Sequence, residues 1–224
     1  MHKNILIGCR GWNYHEWTPD FYPEELPEDW RFCFYSNEIR SVLVPLGDAL
    51  RADTQQWRED SDEEFRFVFE YSFSRTTDFQ WIDQLQKLLH HIKPVVDRTA
   101  AILMSPVSAK ECTEARIKRI LQTVGSVPVC LDLPDAQYND GVVETLDRFN
   151  IGLAWRNAQI PISSTGRMKI SLVDDVDIIT LRKILEQLHK ASQRGCGTGV
   201  FFTEPRKAPY LARQARDLAE LLGV

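Results

Sequence analysis

Apolar residues along this chain gather into eight short runs, and segments of helical periodicity separate most of them. Asn4–Cys9 reads as a buried strand stopped by Gly8 and Gly11, followed by a long aromatic loop with Trp12, Tyr14, Trp17, Phe21 and Tyr22. Trp30–Glu38 reads as a helix, Ser41–Leu46 as the second strand, and Asp48–Asp60 as helical, with Leu50 and Trp57 on one face. In Phe65–Tyr71 the aromatics Phe65, Phe67, Phe69 and Tyr71 alternate with Arg66, Val68 and Glu70, the clearest strand pattern in the chain. Trp81, Leu85, Leu88, Leu89 and Ile92 make one stripe of a helix over Asp78–Ile92. Further strands are expected at Ala100–Met104, Val127–Leu131, Ile151–Trp155, Met168–Leu172 and Gly199–Phe202. Helices are expected at Glu111–Val124, Gly141–Phe149, Val176–Gln193 and Pro209–Leu222. The connection Arg156–Gly166 reads as irregular.

Alternation of strand and helix implies a parallel sheet covered on both faces. Eight units point to an α/β fold, a TIM-like (β/α)8 barrel, with an irregular sixth connection in place of a helix. An open doubly wound sheet is the alternative. The 224 residues fall short of the ~250 typical of such barrels, so loops must be short. With no repeat, linker or charge block, residues 1–224 read as a single domain.

Composition changes this picture little. Apolar residues make up 43%, charged residues 26%, and the formal net charge is −5. A mildly acidic chain with scattered basic residues argues against nucleic acid as a partner. No run approaches the length of a membrane span, and the first apolar run is too short for a signal peptide. A soluble, cytoplasmic protein is expected, with a small molecule as its ligand and its oligomeric state left open. The five cysteines, Cys9, Cys33, Cys112, Cys130 and Cys196, contain no C-x-x-C pair and read as reduced thiols. Cys9 stands beside Arg10, which would favour a thiolate. A buried thiol at a strand end is the simpler reading.

Candidate chemistry comes from the strand ends, since active sites of barrels assemble at the C-terminal face. Those positions hold Arg10, Trp12 and Tyr14, then Asp48, then Glu70, Ser72 and Arg75. Ser105, Asp132 and Asp135, Arg156 and Asn157, Ser171, and Thr203, Glu204 and Arg206 follow. Strand parity turns Val68 and Glu70 into the barrel. Glu70, Asp132 and Glu204 are the candidate catalytic residues. They would bind a hard cation through oxygen, divide general acid and base roles, or pair with nearby arginines in a structural network. Arg10 and Arg156 would neutralise an anionic group, and Trp12 and Tyr14 would supply walls to a sugar or base. The bland reading of the aromatic loop is a plug over one barrel end. Histidine is poorly placed: only His15 is near the mouth. No G-x-S-x-G, H-E-x-x-H, P-loop or G-x-G-x-x-G occurs, so no cofactor or metal is specified. Gly195-Cys196-Gly197-Thr198-Gly199 precedes a strand rather than a helix and reads as a turn, not a phosphate loop.

Gly8-Cys9-Arg10-Gly11-Trp12-Asn13-Tyr14, then Trp17, Phe21-Tyr22-Pro23, Leu26-Pro27 and Trp30 resemble the opening signature of the YecE-like family, domain of unknown function 72. Trp57 with Phe65-Arg66-Phe67, and Val200-Phe201-Phe202 with Ala208-Pro209, are similar to its later segments. The resemblance implies a TIM-related barrel and no established activity. It also exposes departures. The family's V-E-x-N stretch is matched by Val42-Leu43-Val44-Pro45, its strand-three lysine by Glu70, and its strand-four glutamine by Met104. Its strand-five glutamate and arginine are matched by Cys130 and Asp132, its strand-seven histidine by Ser171, and its closing asparagines by Thr203-Glu204. The chain therefore reads as a divergent member. Two functions stay open. One is an enzyme acting on a small polar or anionic substrate at the C-terminal mouth. The other is a non-catalytic barrel that binds a ligand or a protein and has lost the family's polar site.

Overall fold

The computed structural model describes residues 5–72, 80–105, 107, 112–133, 140–156 and 166–224. Eight parallel strands close into a barrel in sequence order, β8 returning to pair with β1. The strands are β1 Leu6–Arg10, β2 Ser41–Pro45, β3 Arg66–Ser72, β4 Thr99–Ser105, β5 Val129–Asp132, β6 Gly152–Trp155, β7 Met168–Val173 and β8 Gly197–Phe202. The helices are α1 Arg31–Glu38, α2 Leu46–Ala49, α3 Thr54–Glu59, α4 Gln80–His91, α5 Glu114–Val124, α6 Asp140–Arg148, α7 Ile178–Gln193 and α8 Ala208–Leu222. The closed sheet settles the choice against an open doubly wound arrangement. Asp48–Asp60, expected as one helical stretch, is instead α2 and α3. Asp53 is extended between them, and its carboxylate accepts the amides of Gln55 and Gln56, which restarts the helix. Most of the connection after β6, together with Arg75, Asp135 and Asn157, lies outside the described residues.

Strand alternation sorts the core into two layers. Leu43, Val68, Leu103, Cys130, Met168, Ile170, Leu172 and Phe201 fill the barrel interior. Phe65, Phe67, Phe69 and Tyr71 belong to the outer layer, packed between sheet and helices, as the period-2 pattern requires. Phe67 stacks on Trp57 with ring centroids 6.0 Å apart. Gly8 is fixed by close approach, since a Cβ there would lie 2.3 Å from the Ser41 carbonyl oxygen. No helix among the described residues is long and apolar enough to cross a membrane.

The aromatic loop after β1 is mainly packing. Trp17, Phe21 and Tyr22 are buried, and the Trp17 Nε1–H donates to the Pro205 carbonyl at 2.6 Å, tying this loop to the one after β8. Cys9 is fully buried, and burial pushes its thiol well above its ordinary value. A thiolate beside Arg10 is therefore not what the fold builds. The Cys9 amide instead donates to the Tyr35 hydroxyl at 2.9 Å, which donates in turn to the Ser41 carbonyl at 2.8 Å.

Candidate functional site at the C-terminal mouth

Alternation determines what reaches the mouth. In β3 the inward set runs from Val68 to Glu70, and in β7 it runs Met168, Ile170, Leu172 and then Asp174. The same parity brings Arg10 from β1, Ser105 from β4, Asp132 from β5, Arg156 after β6 and Thr203 after β8 to the rim. A cavity of about 290 Å³ opens there, lined by Arg10, Leu43, Glu70, Arg156, Leu172, Asp174 and Thr203. Its floor is apolar and its wall is charged.

Among the described residues, two ion pairs organise the rim. Arg10 Nε donates to Glu70 Oε2 at 2.7 Å, with side-chain exposures of 38% and 16%. Arg156 Nη2 donates to Asp132 Oδ2 at 2.7 Å. Asp132 is nearly inaccessible while Arg156 is half exposed. The Ser105 hydroxyl donates to the same Asp132 oxygen at 2.5 Å. Burial works against the Arg156 charge. The hydrogen bond to Asp132 and the fields of Asp132, Asp174 and Glu70 outweigh it and raise the guanidinium above its ordinary value. The Thr203 hydroxyl donates to Asp174. Glu70 and Asp132 are thus each paired with an arginine, one of the three arrangements open from the sequence.

Glu204 stands apart from this set. Its Oε1 accepts the Arg206 amide at 3.3 Å, and its backbone carbonyl accepts from Lys207 and Ala208 at the entry to α8. Among the described residues no three His, Cys, Asp or Glu side chains come together to hold a metal ion. Trp12 and Tyr14 line a neighbouring groove rather than the mouth. His15 is exposed, 3.5 Å from the Glu28 carboxylate. Asp174 is the rim residue that sequence reasoning passed over. Ser171, the strand-end candidate of β7 from the sequence, is buried on the outer side, whereas the inward alternation continues two residues beyond Leu172.

A family model and one solved structure agree with this architecture. A family model described as "Protein of unknown function DUF72" matches residues 6–223. A DUF72 family protein from Enterococcus faecalis superposes with a TM-score of 0.73 at 14% identity, covering 99% of this chain and 96% of that one. An uncharacterised protein from Agrobacterium tumefaciens gives a TM-score of 0.48 at 10% identity, over 98% of this chain and 83% of that one. A 2,3-dimethylmalate lyase gives 0.45 at 11% identity, over 100% and 82%. No curated protein matches the sequence. The family match runs from the first strand to the end of the last helix, and the chain belongs to the DUF72 family.

Proposed function

We propose that this protein is a soluble, cytoplasmic barrel enzyme that takes a small molecule bearing an anionic group at its C-terminal mouth. The observation that carries this is the half-used pair of arginines. Among the described residues, Arg10 is anchored through Nε alone and Arg156 through Nη2 alone. Their carboxylate partners hold the two guanidinium planes in place. Both side chains line the cavity, and a guanidinium's further N–H donors have the fork geometry that suits carboxylate or phosphate. Glu70 lines that cavity and is the acid–base candidate. Asp132 lies beneath Arg156 and acts as a positioning residue, its charge fixing the guanidinium and the Ser105 hydroxyl. An odd number of cysteines with no C-x-x-C pair supports a reducing compartment.

Thermal shift and titration calorimetry with phosphate, malonate and glycerol 3-phosphate, against neutral glycerol, test the anion site. A ligand at a hundred times its Kd contributes about 2.7 kcal/mol, or a Tm rise of roughly 5–10 °C for a chain of this size. Arg156→Gln should remove the rise, and no response from any of the anions in the wild-type protein would refute the site.

The ion pairs themselves favour a second reading, a binding barrel without turnover, because both carboxylates are already engaged by arginine. Following a bound anion by proton NMR over hours separates the two. Loss of malonate or glycerol 3-phosphate signals with new product signals supports the enzyme reading, and an unchanged spectrum favours binding without turnover of these anions.

A further inference from the structure

Beside the mouth, a second cavity of about 360 Å³ is lined by Gly11, Trp12, Asn13, Tyr14, Asp48, Arg51, Ala52 and Trp57. It shares a wall with the first. Arg10 lines the mouth and the next residue, Gly11, lines the groove. The Tyr14 hydroxyl donates to the Arg10 carbonyl at 2.7 Å, and the Gly11 amide donates to the carbonyl of Leu43, a mouth residue, at 2.8 Å. Gly11 has φ +74, and a Cβ there would meet the Tyr14 ring at 3.2 Å, so this junction requires glycine. Each cavity is near the small end of the ~300–1,000 Å³ range of ligand pockets. Lined by consecutive residues, Arg10 and Gly11, the two are placed side by side for the two ends of one small molecule.

We propose that the groove is a subsite for the ring of an anionic monosaccharide whose charged group lies in the mouth. This rests on the reading of the mouth as an anion site. Trp12 and Trp57 meet edge to face, with centroids 4.8 Å apart and planes at 83°. Such a corner offers a ring face on one side only. A flat nucleobase is held best between parallel rings, whereas a pyranose has one apolar face to lay on an aromatic and hydroxyls to point elsewhere. At the groove's polar edge Asp48 accepts from Arg51 Nη2 at 3.0 Å. Both side chains are largely exposed, at 51% and 77%, so acceptor and donor are both available to vicinal hydroxyls. The mouth supplies charge, and the groove supplies stacking and hydroxyl recognition.

Calorimetry on the full chain tests this with glucose 6-phosphate, glucose, inorganic phosphate and adenosine monophosphate. Glucose 6-phosphate should bind about tenfold more tightly than phosphate, a gain of about 1.4 kcal/mol. Asp48→Asn should shrink that advantage to under about threefold while leaving phosphate affinity unchanged, which also shows that the variant is folded. Saturation transfer from aromatic protons should reach the sugar ring. If phosphate binds and the sugar adds nothing, or Asp48→Asn leaves the advantage intact, the subsite is refuted and the anion site stands. Tighter binding of adenosine monophosphate than of glucose 6-phosphate refutes it in favour of a base. If no anion binds, the anion site fails and the subsite with it.

Discussion

Tyr35 shows how one side chain joins two strands to a helix. It sits in α1, fully buried, and its hydroxyl accepts a hydrogen bond from the Cys9 amide of β1 and donates one to the Ser41 carbonyl of β2. Tyr35→Phe leaves a donor and an acceptor unpaired away from water. The expected cost is about 1–3 kcal/mol, read as a lower denaturation midpoint at unchanged m-value. A shift inside experimental error would mean that the two backbone groups find other partners. This bridge was not legible in the chain, because nothing local reveals that residues 9, 35 and 41 meet. Glu70 was legible, since the aromatic alternation of β3 leaves it no face but the inner one. Asp174 was legible in principle by the same rule, but reading β7 as ending at Leu172 conceals it.

Helix boundaries followed capping chemistry where the caps are local. Asp177 accepts the Thr180 amide at 2.8 Å and the Thr180 hydroxyl at 3.1 Å, opening α7 two residues inside a region already expected to be helical. Those hydrogen bonds hold its carboxyl below the ordinary value. A carboxyl lowered in the fold adds stability above its unfolded-state value, and that stability is lost as pH falls through the folded value. Asp177→Asn keeps a capping oxygen that does not titrate. The Tm gap between wild type and variant should therefore close or invert on acidification from neutral pH to below the ordinary carboxylate range, about 3.9 for Asp. A gap independent of pH would count against Asp177 as the titrating cap. The division between α2 and α3 was harder to see, because helical composition continues through the extended Asp53 that restarts the helix.

Closure of eight strands brings residues sixty positions apart into contact. Arg10 and Glu70 meet across β2, joining the first strand to the third at the mouth. Arg10→Met alone leaves Glu70, only 16% exposed, without its cation. Arg10→Met with Glu70→Met removes both charges. The double variant is expected to recover most of a single-variant loss of about 1–2 kcal/mol, a non-additivity that a double-mutant cycle measures directly. Additive losses would show that the pair does not couple. The same closure explains the charge placement. Among the described residues, three carboxylates and two guanidiniums share the rim.

Periodicity carried the architecture. Eight apolar runs with intervening helices specify a covered parallel sheet, because period-2 and period-3.6 patterns are local and each must bury one face. The Gly8–Tyr14 motif and the family resemblance extend that to a DUF72 barrel. Which strand-end charges meet was set by register and shear, which depend on the whole closed sheet. Glu70 and Asp132 reached arginines, Glu204 turned to the start of α8, and Trp12 and Tyr14 came to wall a groove beside the mouth. Side-chain parity is written residue by residue, but the distance between two strand ends exists only once the barrel has closed.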